Sequence, residues 1–164
     1  MPSVLFVCTA NICRSPMAEA LFKNLIRKQP VPASWRIESA GTWCVNGRPP
    51  APFAIQVMSW RGLDISSHRA RGVTREMLLS FNLILAMEQG HKEALRVEFP
   101  QIIRRVHLLS EVIGVKRDIT DPIGGSLADF EDTVQEFEKT FGQGMEKIIR
   151  LANRTTGLLR SPTA

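Results

Sequence analysis

Cys8 and Arg14 stand at the two ends of a short stretch with five residues between them, and both residue types can carry out chemistry. A loop of this length can curl so that successive backbone N–H groups point inward and form a nest for an anion. Arg14 is expected at the rim of the nest, where its guanidinium can grip two phosphate oxygens at once. Electropositive surroundings lower the pKa of a thiol from about 8.5 to roughly 3.5–7.5. Cys8 is therefore predicted to be a nucleophilic thiolate at neutral pH.

The segments on either side of this loop are of the kinds that hold such a loop in place. Ser3–Val7 is a short apolar run that predicts a buried strand. Ser15–Arg27 predicts a helix, with Ser15 as its N-cap and Pro16 at its first position. The start of that helix would add free N–H groups to the anion site. Arg14 is unfavourable beside a helix start because of the helix dipole, which favours an anionic partner for it.

The rest of the chain alternates between predicted strands and predicted helices. Three more strands are predicted, at Trp35–Ser39, Asn82–Met87 and Arg104–Leu109. Four more helices are predicted, at Phe53–Arg61, Thr74–Ser80, Glu88–Val97 and Leu127–Ala152. This order predicts a single α/β domain with a four-stranded parallel sheet, helices on both faces and a phosphate-binding loop after the first strand. The domain is expected to span residues 1–154, with 155–164 as a flexible tail.

Composition and charge narrow the class of protein. The 164 residues are 44% apolar, which is enough for the core of one domain. We find neither an apolar run long enough to cross a bilayer nor a signal peptide, so a soluble, cytoplasmic protein without a membrane partner is expected. The formal net charge of +5 is typical of a solvated basic surface or of a protein that attracts anionic substrates. Nucleic acid is not an expected partner, because no stripe of basic and aromatic residues is present.

The loop and several later segments together resemble a known family. Pro-Met-Ala-Glu follows the loop at residues 16–19. Further matching segments are Ser39–Thr42, Ser67–Arg71, Leu83–Glu88 and Asp121-Pro122. In this order they are similar to the low-molecular-weight protein tyrosine phosphatase family, and the resemblance covers about residues 3–152.

The resemblance implies a role for each site residue. Cys8 would form a phosphocysteine intermediate while Arg14 and the loop amides bind the phosphate oxygens. Asp121 would protonate the leaving group and then activate water, as a two-step displacement needs. The phosphate-binding loop would comprise Thr9, Ala10, Asn11, Ile12, Cys13 and Ser15, braced by hydrogen bonds among Asn11, Ser15, Ser39 and His68. The substrate would be a phosphorylated protein, the product inorganic phosphate, and neither a cofactor nor a metal would be needed.

The residues expected around the leaving group carry two different signals. Tyrosine phosphatases of this family usually have a tyrosine after the catalytic aspartate, whereas this chain has Ile123-Gly124-Gly125 and no tyrosine at all. That pattern resembles the protein-arginine phosphatase branch, which usually has threonine in place of Ile12. A phenyl ring needs apolar flanks, and a substrate wall of Ile12, Trp43 and Ile123 could supply them. The sequence thus favours phosphotyrosine, with phosphoarginine as the alternative.

Two functions of other classes use similar residues. An arsenate reductase shares this fold and nucleophile, but it needs a relay of further cysteines, and beyond the loop this chain has only Cys44. A non-catalytic phosphate-binding module would be expected to lack Cys8 or Asp121, and both are present. Burst release of phenol from an aryl phosphate would separate a phosphatase from either alternative.

The number and spacing of the three cysteines indicate neither a disulfide framework nor a zinc site. Cys13 has two interpretations. It either packs as a small residue behind the loop, or it is a redox partner that protects Cys8 through a disulfide. Cys44 is interpreted as structural or incidental.

Overall fold

The computed structural model describes residues 1–30 and 34–158, which form four strands, five α-helices and two 3₁₀ helices. The strands are β1 (Ser3–Cys8), β2 (Arg36–Gly41), β3 (Leu83–Ala86) and β4 (Val106–Leu108). The α-helices are α1 (Arg14–Ile26), α2 (Pro52–Ser59), α3 (Arg75–Ser80), α4 (Gln89–Glu98) and α5 (Leu127–Leu158). The 3₁₀ helices are Pro100–Arg105 and Leu109–Ile113. Within the described residues, no helix combines the length and the apolar character that a membrane span requires.

The strands form one parallel sheet in the order β2-β1-β3-β4. Strand β1 lies between two neighbours, so that Val7 is opposite Ala40 of β2 and Ala86 of β3. Parallel neighbours need crossover connections, and the intervening helices provide them. The predicted fold class, a single α/β domain with a four-stranded parallel sheet, is confirmed.

The two faces of β1 belong to two separate apolar cores, because successive side chains of a strand point to opposite faces. Phe6 packs in one core with Phe22 of α1 and Phe141 of α5, whose ring centroids lie 5.6 and 5.7 Å from its own. Val7 packs in the other core, which includes Leu95 of α4. Burial of each such side chain stabilises the fold by about 1.5–3 kcal/mol. The end of β1 is therefore held firmly from both sides.

Most element boundaries differ from the predicted ones by one or two residues, as at β4, and the end of α5 differs by more. Strand β4 is shorter than the predicted Arg104–Leu109, because Pro100 begins a 3₁₀ helix that takes up the first of these residues. Proline suits a first helical turn, where its missing N–H would have no partner in any case. Helix α5 continues to Leu158, past the predicted end at Ala152, and so includes the start of the predicted tail. The remaining tail residues, 159–164, lie outside the described residues.

Gly41, the last residue of β2, lies against the loop that follows β1. A Cβ atom at this position would be 2.3 Å from the carbonyl oxygen of Thr9, which is too close for two non-bonded atoms. Gly41→Ala should therefore displace the loop and destabilise the fold by about 1–3 kcal/mol. Urea unfolding measures the stability, and calorimetric titration with inorganic phosphate should show weakened binding.

Gly142→Ala is the matched control for this prediction. Gly142 lies in α5, and a Cβ atom there would meet nothing within 4 Å. Alanine should stabilise this helix by about 0.5–1 kcal/mol and leave phosphate binding unchanged. Equal effects of the two substitutions on phosphate binding would contradict the role assigned to Gly41.

Candidate active site

The loop that follows β1 runs from Cys8 to the start of α1 at Arg14 and has the backbone of an anion nest. Asn11 has a φ of +56°, the only positive φ of a non-glycine residue in the described chain. One left-handed residue turns consecutive N–H groups to the same side of the backbone. Asparagine adopts this conformation more readily than most residues, so the predicted suitability of Asn11 is confirmed.

Cys8 faces the hydroxyl group of Ser15, with 2.9 Å between Sγ and Oγ. Nδ2 of Asn11 donates to the same Ser15 oxygen at 2.7 Å, so the hydroxyl proton of Ser15 is available to donate to the sulfur when Cys8 is a thiolate. The prediction that Ser15 caps α1 is wrong, because the helix begins at Arg14 and Ser15 lies within its first turn. Helical side chains point towards the N-terminus of their helix, and here that direction leads to the thiol.

The predicted bracing network around Asn11 is present. Its Nδ2 also donates to Oγ of Ser39 at 3.0 Å, and Nε2 of His68 donates to its carbonyl oxygen at 2.8 Å. The backbone N–H of Arg71 donates to Oδ1 of Asn11 at 3.0 Å. Ser39 in turn donates to a carboxylate oxygen of Glu19 at 2.6 Å. The sequence prediction assigned no role to Glu19 or Arg71, although both lie inside the segments that carry the resemblance.

Arg14 is only 1% exposed, so the prediction that it lies at the rim of the loop is wrong. Its Nη1 donates to a carboxylate oxygen of Glu88 and, at 2.7 Å, to the carbonyl oxygen of Ile119. Its Nη2 donates to Oδ2 of Asp121 at 3.2 Å. The sequence alone predicted only an anionic ligand as its partner. Two carboxylates compensate the buried charge, because a buried cation without partners is strongly unfavourable.

Asp121 is brought to Cys8 from a distant part of the chain. Its Oδ1 accepts a hydrogen bond from the backbone N–H of Ile123 at 3.1 Å, while Oδ2 pairs with Arg14. Cys8 and Asp121 both border a cavity of about 30 Å³, which is large enough to hold water. The cavity is lined by Cys8, Ala10, Asn11, Ile12, Cys13, Arg14, Asp121 and Ile123. Thiol, cation and carboxyl group thus share one small site.

Two of the three residues predicted as a substrate wall line this cavity. Ile123 is 52% exposed at its mouth, while Ile12 is 5% exposed and contributes mainly to the core. Trp43 donates its backbone N–H to the carbonyl oxygen of Thr9 at 3.1 Å. Its side chain, however, is 85% exposed and does not line the cavity formed by the described residues. Only the two isoleucines therefore flank the site in this structure.

Two larger grooves meet the cavity at Ile123. The first, of about 320 Å³, is lined mainly by apolar residues: Ala51, Pro52, Phe53, Ile123, Gly124, Gly125 and Phe130. The second, of about 450 Å³, is acidic and is lined by Thr120, Asp121, Pro122, Ile123, Gly125, Asp129, Asp132, Thr133 and Glu136. Asp132 is the one carboxylate of this groove that has no partner among the described residues. A leaving group beside Asp121 therefore has an apolar and an acidic surface within reach.

Burial raises the pKa of the Cys8 thiol, contrary to the lowered pKa predicted from the sequence. Four contributions oppose burial: hydrogen bonds from the Ser15 hydroxyl and the Ser15 N–H, the charge of Arg14, and the Asn11 N–H. The sequence prediction considered the loop N–H groups and Arg14, but neither the Ser15 hydroxyl nor the removal of the sulfur from water. The largest opposing contribution comes from the hydroxyl of Ser15.

The other two cysteines are also present as free thiols. Burial raises the pKa of Cys13 to about 12, and the negative charges of Asp121 and Cys8 add to this effect. Cys13 is 3% exposed and belongs to the main core, as its interpretation as a packing residue requires. Burial also raises the pKa of Cys44, whose Sγ donates to Oδ1 of Asn46 at 3.6 Å.

Glu88 and His91 are functional candidates that the sequence analysis missed. Glu88 lies two residues after the end of β3 and pairs with Arg14. His91 lies in the first turn of α4, and its Nε2 is 2.8 Å from Oγ1 of Thr9. A signal existed for Glu88, since the carboxyl ends of neighbouring parallel strands meet at one edge of the sheet. Among the described residues, no group of three or more metal-ligating side chains was found.

The fold and the site together define a class of protein. A thiol faces an anion-binding loop at the carboxyl edge of a parallel sheet, with a buried arginine and a carboxyl group beside it, as in cysteine-dependent phosphatases. Residues 3–153 match the family described as low molecular weight phosphotyrosine protein phosphatase. The chain belongs to this family.

Relatives with two different named activities are similar to this chain. It is 36% identical to a low molecular weight phosphotyrosine protein phosphatase of Sus scrofa, over 89% of this chain and 95% of the relative. It is 33% identical to a protein-arginine-phosphatase of Bacillus subtilis, over 85% and 92% of the two chains. A solved low molecular weight protein tyrosine phosphatase from T. tengcongensis superposes with a TM-score of 0.82 at 35% identity, covering 90% of this chain and 99% of the other.

Removal of the Ser15 hydroxyl should raise the pKa of Cys8 further. The hydroxyl stabilises the thiolate, so in Ser15→Ala the thiolate should form only at higher pH and react more slowly at any given pH below that. The pH dependence of alkylation by iodoacetamide, located at Cys8 by mass spectrometry, measures this shift. Ser59→Ala is the control, because its hydroxyl donates to the carbonyl oxygen of Gln56 in α2. Superimposable profiles for Ser15→Ala and the parent would show that the hydroxyl does not stabilise the thiolate.

Proposed function

We propose that this chain is a cysteine-dependent phosphatase that hydrolyses phosphotyrosine in phosphorylated proteins and releases inorganic phosphate. The observation that supports it most directly is the shared cavity of Cys8, Arg14 and Asp121, with Asp121 Oδ2 3.2 Å from Arg14 Nη2. A nucleophile, an anion-binding cation and a proton donor are the three groups that a two-step displacement at phosphorus requires. Membership in the phosphatase family supports the same reaction.

In the first step, Cys8 loses its proton to water, and the thiolate, which the Ser15 hydroxyl and the charge of Arg14 stabilise against the effect of burial, attacks phosphorus. A sulfur–phosphorus bond forms as the bond from phosphorus to the tyrosine oxygen breaks. Asp121, entering in its protonated form, gives its proton to that leaving oxygen. In the second step, water attacks phosphorus and gives a proton to the Asp121 carboxylate. The sulfur–phosphorus bond breaks, phosphate leaves, and the thiolate of Cys8 is restored with the Ser15 hydroxyl donating to it.

Arg14 would stabilise the charge on the phosphate oxygens during both steps. Its Nη1 is held by Glu88 and by the carbonyl oxygen of Ile119, so the guanidinium has a defined orientation before substrate binds. Its Nη2 faces Asp121, and a phosphate group would compete with this carboxylate for the same N–H group. Such competition would free Asp121 to turn towards the leaving group when a phosphate occupies the loop.

The apolar groove supports an aromatic leaving group. It joins the phosphate cavity at Ile123 and includes Phe53, which is partly exposed and packs edge-on against Phe130 at 5.7 Å between ring centroids. A phenyl ring prefers aliphatic and aromatic flanks, and the side chains of this groove provide them. Phosphotyrosine is therefore the substrate that we place first.

Phosphoarginine is a second candidate substrate, which the acidic groove favours. Asp132 is exposed there without a partner among the described residues, and a guanidinium leaving group would donate a charge-assisted hydrogen bond to such a carboxylate. Gly124 and Gly125 leave the groove open beside Ile123. Similarity to a relative named protein-arginine-phosphatase also supports this alternative.

Other parts of the proposal extend beyond the reaction itself. The phosphatase domain is proposed to span residues 1–154 and to act in the cytoplasm. Cys13 is proposed as the redox partner of Cys8: a peroxide oxidises the Cys8 thiolate to a sulfenic acid, and the Cys13 thiol then displaces water to form a disulfide.

Two alternative functions are disfavoured. An arsenate reductase needs a relay of further cysteines, and beyond the loop this chain has only Cys44. A non-catalytic phosphate-binding module would be expected to lack Cys8 or Asp121, and both are present.

Asp121→Asn tests the proposed reaction. Loss of the proton donor should slow hydrolysis of aryl phosphates by about 10²–10⁴-fold, and less for substrates whose leaving group needs no proton. Turnover is measured with a series of aryl phosphates of different phenol pKa. Cys8→Ser is the companion variant and should abolish turnover while still binding phosphate. An equal loss for all leaving groups in Asp121→Asn would argue that Asp121 is structural, and turnover in Cys8→Ser would refute the nucleophile.

The two grooves give a test of substrate preference. Phe53→Ala should lower kcat/KM for a phosphotyrosine peptide by about 10-fold or more and change phosphoarginine turnover little. Asp132→Asn should lower kcat/KM for a phosphoarginine peptide and change phosphotyrosine turnover little, because it removes only the partner of a guanidinium. Both variants and the parent are compared on matched phosphotyrosine and phosphoarginine peptides. If the parent cleaves phosphoarginine better and only Asp132→Asn impairs it, the order of the two substrates is reversed.

A further inference from the structure

His91 is a buried histidine whose contacts lead directly to the phosphate site, although the proposed reaction assigns it no role. It lies in the first turn of α4 and is 5% exposed. Its Nε2 is 2.8 Å from Oγ1 of Thr9, the residue that follows the nucleophile. Its Nδ1 lies 3.1 Å from the backbone nitrogen of Glu88. Both ring nitrogens of this side chain therefore have defined partners.

The partner of Nδ1 determines which ring nitrogen carries the proton. A backbone N–H can only donate a hydrogen bond, so Nδ1 must accept the bond from Glu88 with its lone pair. In the neutral ring the proton is then on Nε2, which donates to the hydroxyl oxygen of Thr9. The structure thus fixes His91 in one neutral tautomer.

The same histidine also fixes the residue that orients Arg14. The backbone N–H of His91 donates to the backbone carbonyl oxygen of Glu88 at 3.1 Å, while the His91 ring accepts from the backbone N–H of Glu88. These two hydrogen bonds hold His91 and Glu88 in a fixed relation at the start of α4. The Glu88 carboxylate is also the ion-pair partner of Arg14, and Arg14 Nη2 lies 3.5 Å from the hydroxyl oxygen of Thr9. His91 therefore contacts Thr9 of the loop on one side and Glu88, the ion-pair partner of Arg14, on the other.

We propose that His91 is a positioning residue of the phosphate site, which holds Thr9 and, through Glu88, Arg14 in the geometry that binds phosphate. The proposal rests on the proposed phosphatase function and deepens it. His91 contacts neither Cys8 nor Asp121 by a hydrogen bond among the described residues, so its effect is exerted through the loop and the arginine.

Protonation of His91 would break this arrangement. A proton on Nδ1 would point at the backbone N–H of Glu88, and two donors cannot share a hydrogen bond. The charged groups that face the ring are Arg14, Glu88, Asp118 and Asp121. Burial and the charge of Arg14 lower the pKa of His91, while the three carboxylates raise it by a smaller amount. The ring is therefore neutral at neutral pH, and phosphate binding should weaken as the pH falls through this lowered pKa.

Three variants of the full chain test the proposal. His91→Ala should lower kcat/KM on an aryl phosphate and the affinity for inorganic phosphate, each by about 10- to 100-fold, because the loop and Arg14 lose their fixed positions. His91→Gln should recover most of both, since the amide can still donate to Thr9. His107→Ala is the matched control, a half-buried histidine whose Nδ1 lies 3.9 Å from Glu111 Oε2, and it should leave both quantities unchanged.

Phosphate affinity is measured by calorimetric titration between pH 5 and 8, apart from turnover. The parent should lose affinity in acid more steeply than His91→Gln, which has no group to protonate at this position. Affinity in His91→Ala equal to that in His107→Ala would overturn the proposal, as would identical acid profiles for the parent and His91→Gln. A parent that binds phosphate without hydrolysing aryl phosphates would refute the proposed function instead, and the binding comparison would still decide on His91.

Discussion

The charge of the Arg14 guanidinium is almost completely buried, and the arrangement of the site depends on how that charge is compensated. Removing a cation from water costs several kcal/mol unless carboxylates and hydrogen-bond acceptors replace the water. Glu88 after β3, Ile119 and Asp121 supply these groups from distant parts of the chain. The residue that would bind phosphate therefore also assembles its surroundings, because the same ion pairs that satisfy its charge bring the proposed acid to the nucleophile.

The sheet makes such an assembly possible because parallel strands end at one edge. Strand β1 carries the nucleophile in the interior of the sheet, with both faces covered by apolar side chains. The loop after it is then restrained from several sides, by Gly41 of β2 against Thr9, by Ser39 and His68 on Asn11, and by the start of α4. A loop held by so many contacts needs little reorganisation when an anion binds, which is the physical basis of preorganised electrostatic stabilisation.

We expect substrate preference to depend mainly on the surfaces beside the phosphate-binding amides. Ile123 lines the cavity and also lines both an apolar groove and an acidic groove beside it. The phosphate group is common to both candidate substrates, so the phosphate-binding amides of the loop cannot distinguish them. Discrimination must come from the leaving group, through burial of a ring against Phe53 or pairing of a guanidinium with Asp132.

The sequence by itself determined the features that arise from residues close together in the chain. The hydrophobic pattern located every strand and α-helix to within a few residues, and the spacing of Cys8 and Arg14 located the loop. Asp121 was found through a resemblance, and Glu88 and His91 were not found, because their contacts join segments far apart in the chain. The burial of individual side chains could not be predicted from the sequence either. Only the packed structure shows that Arg14 lies in the interior and that burial raises the pKa of Cys8. Local periodicity is encoded by adjacent side chains, whereas exposure to water and long-range pairing exist only after the elements have packed together.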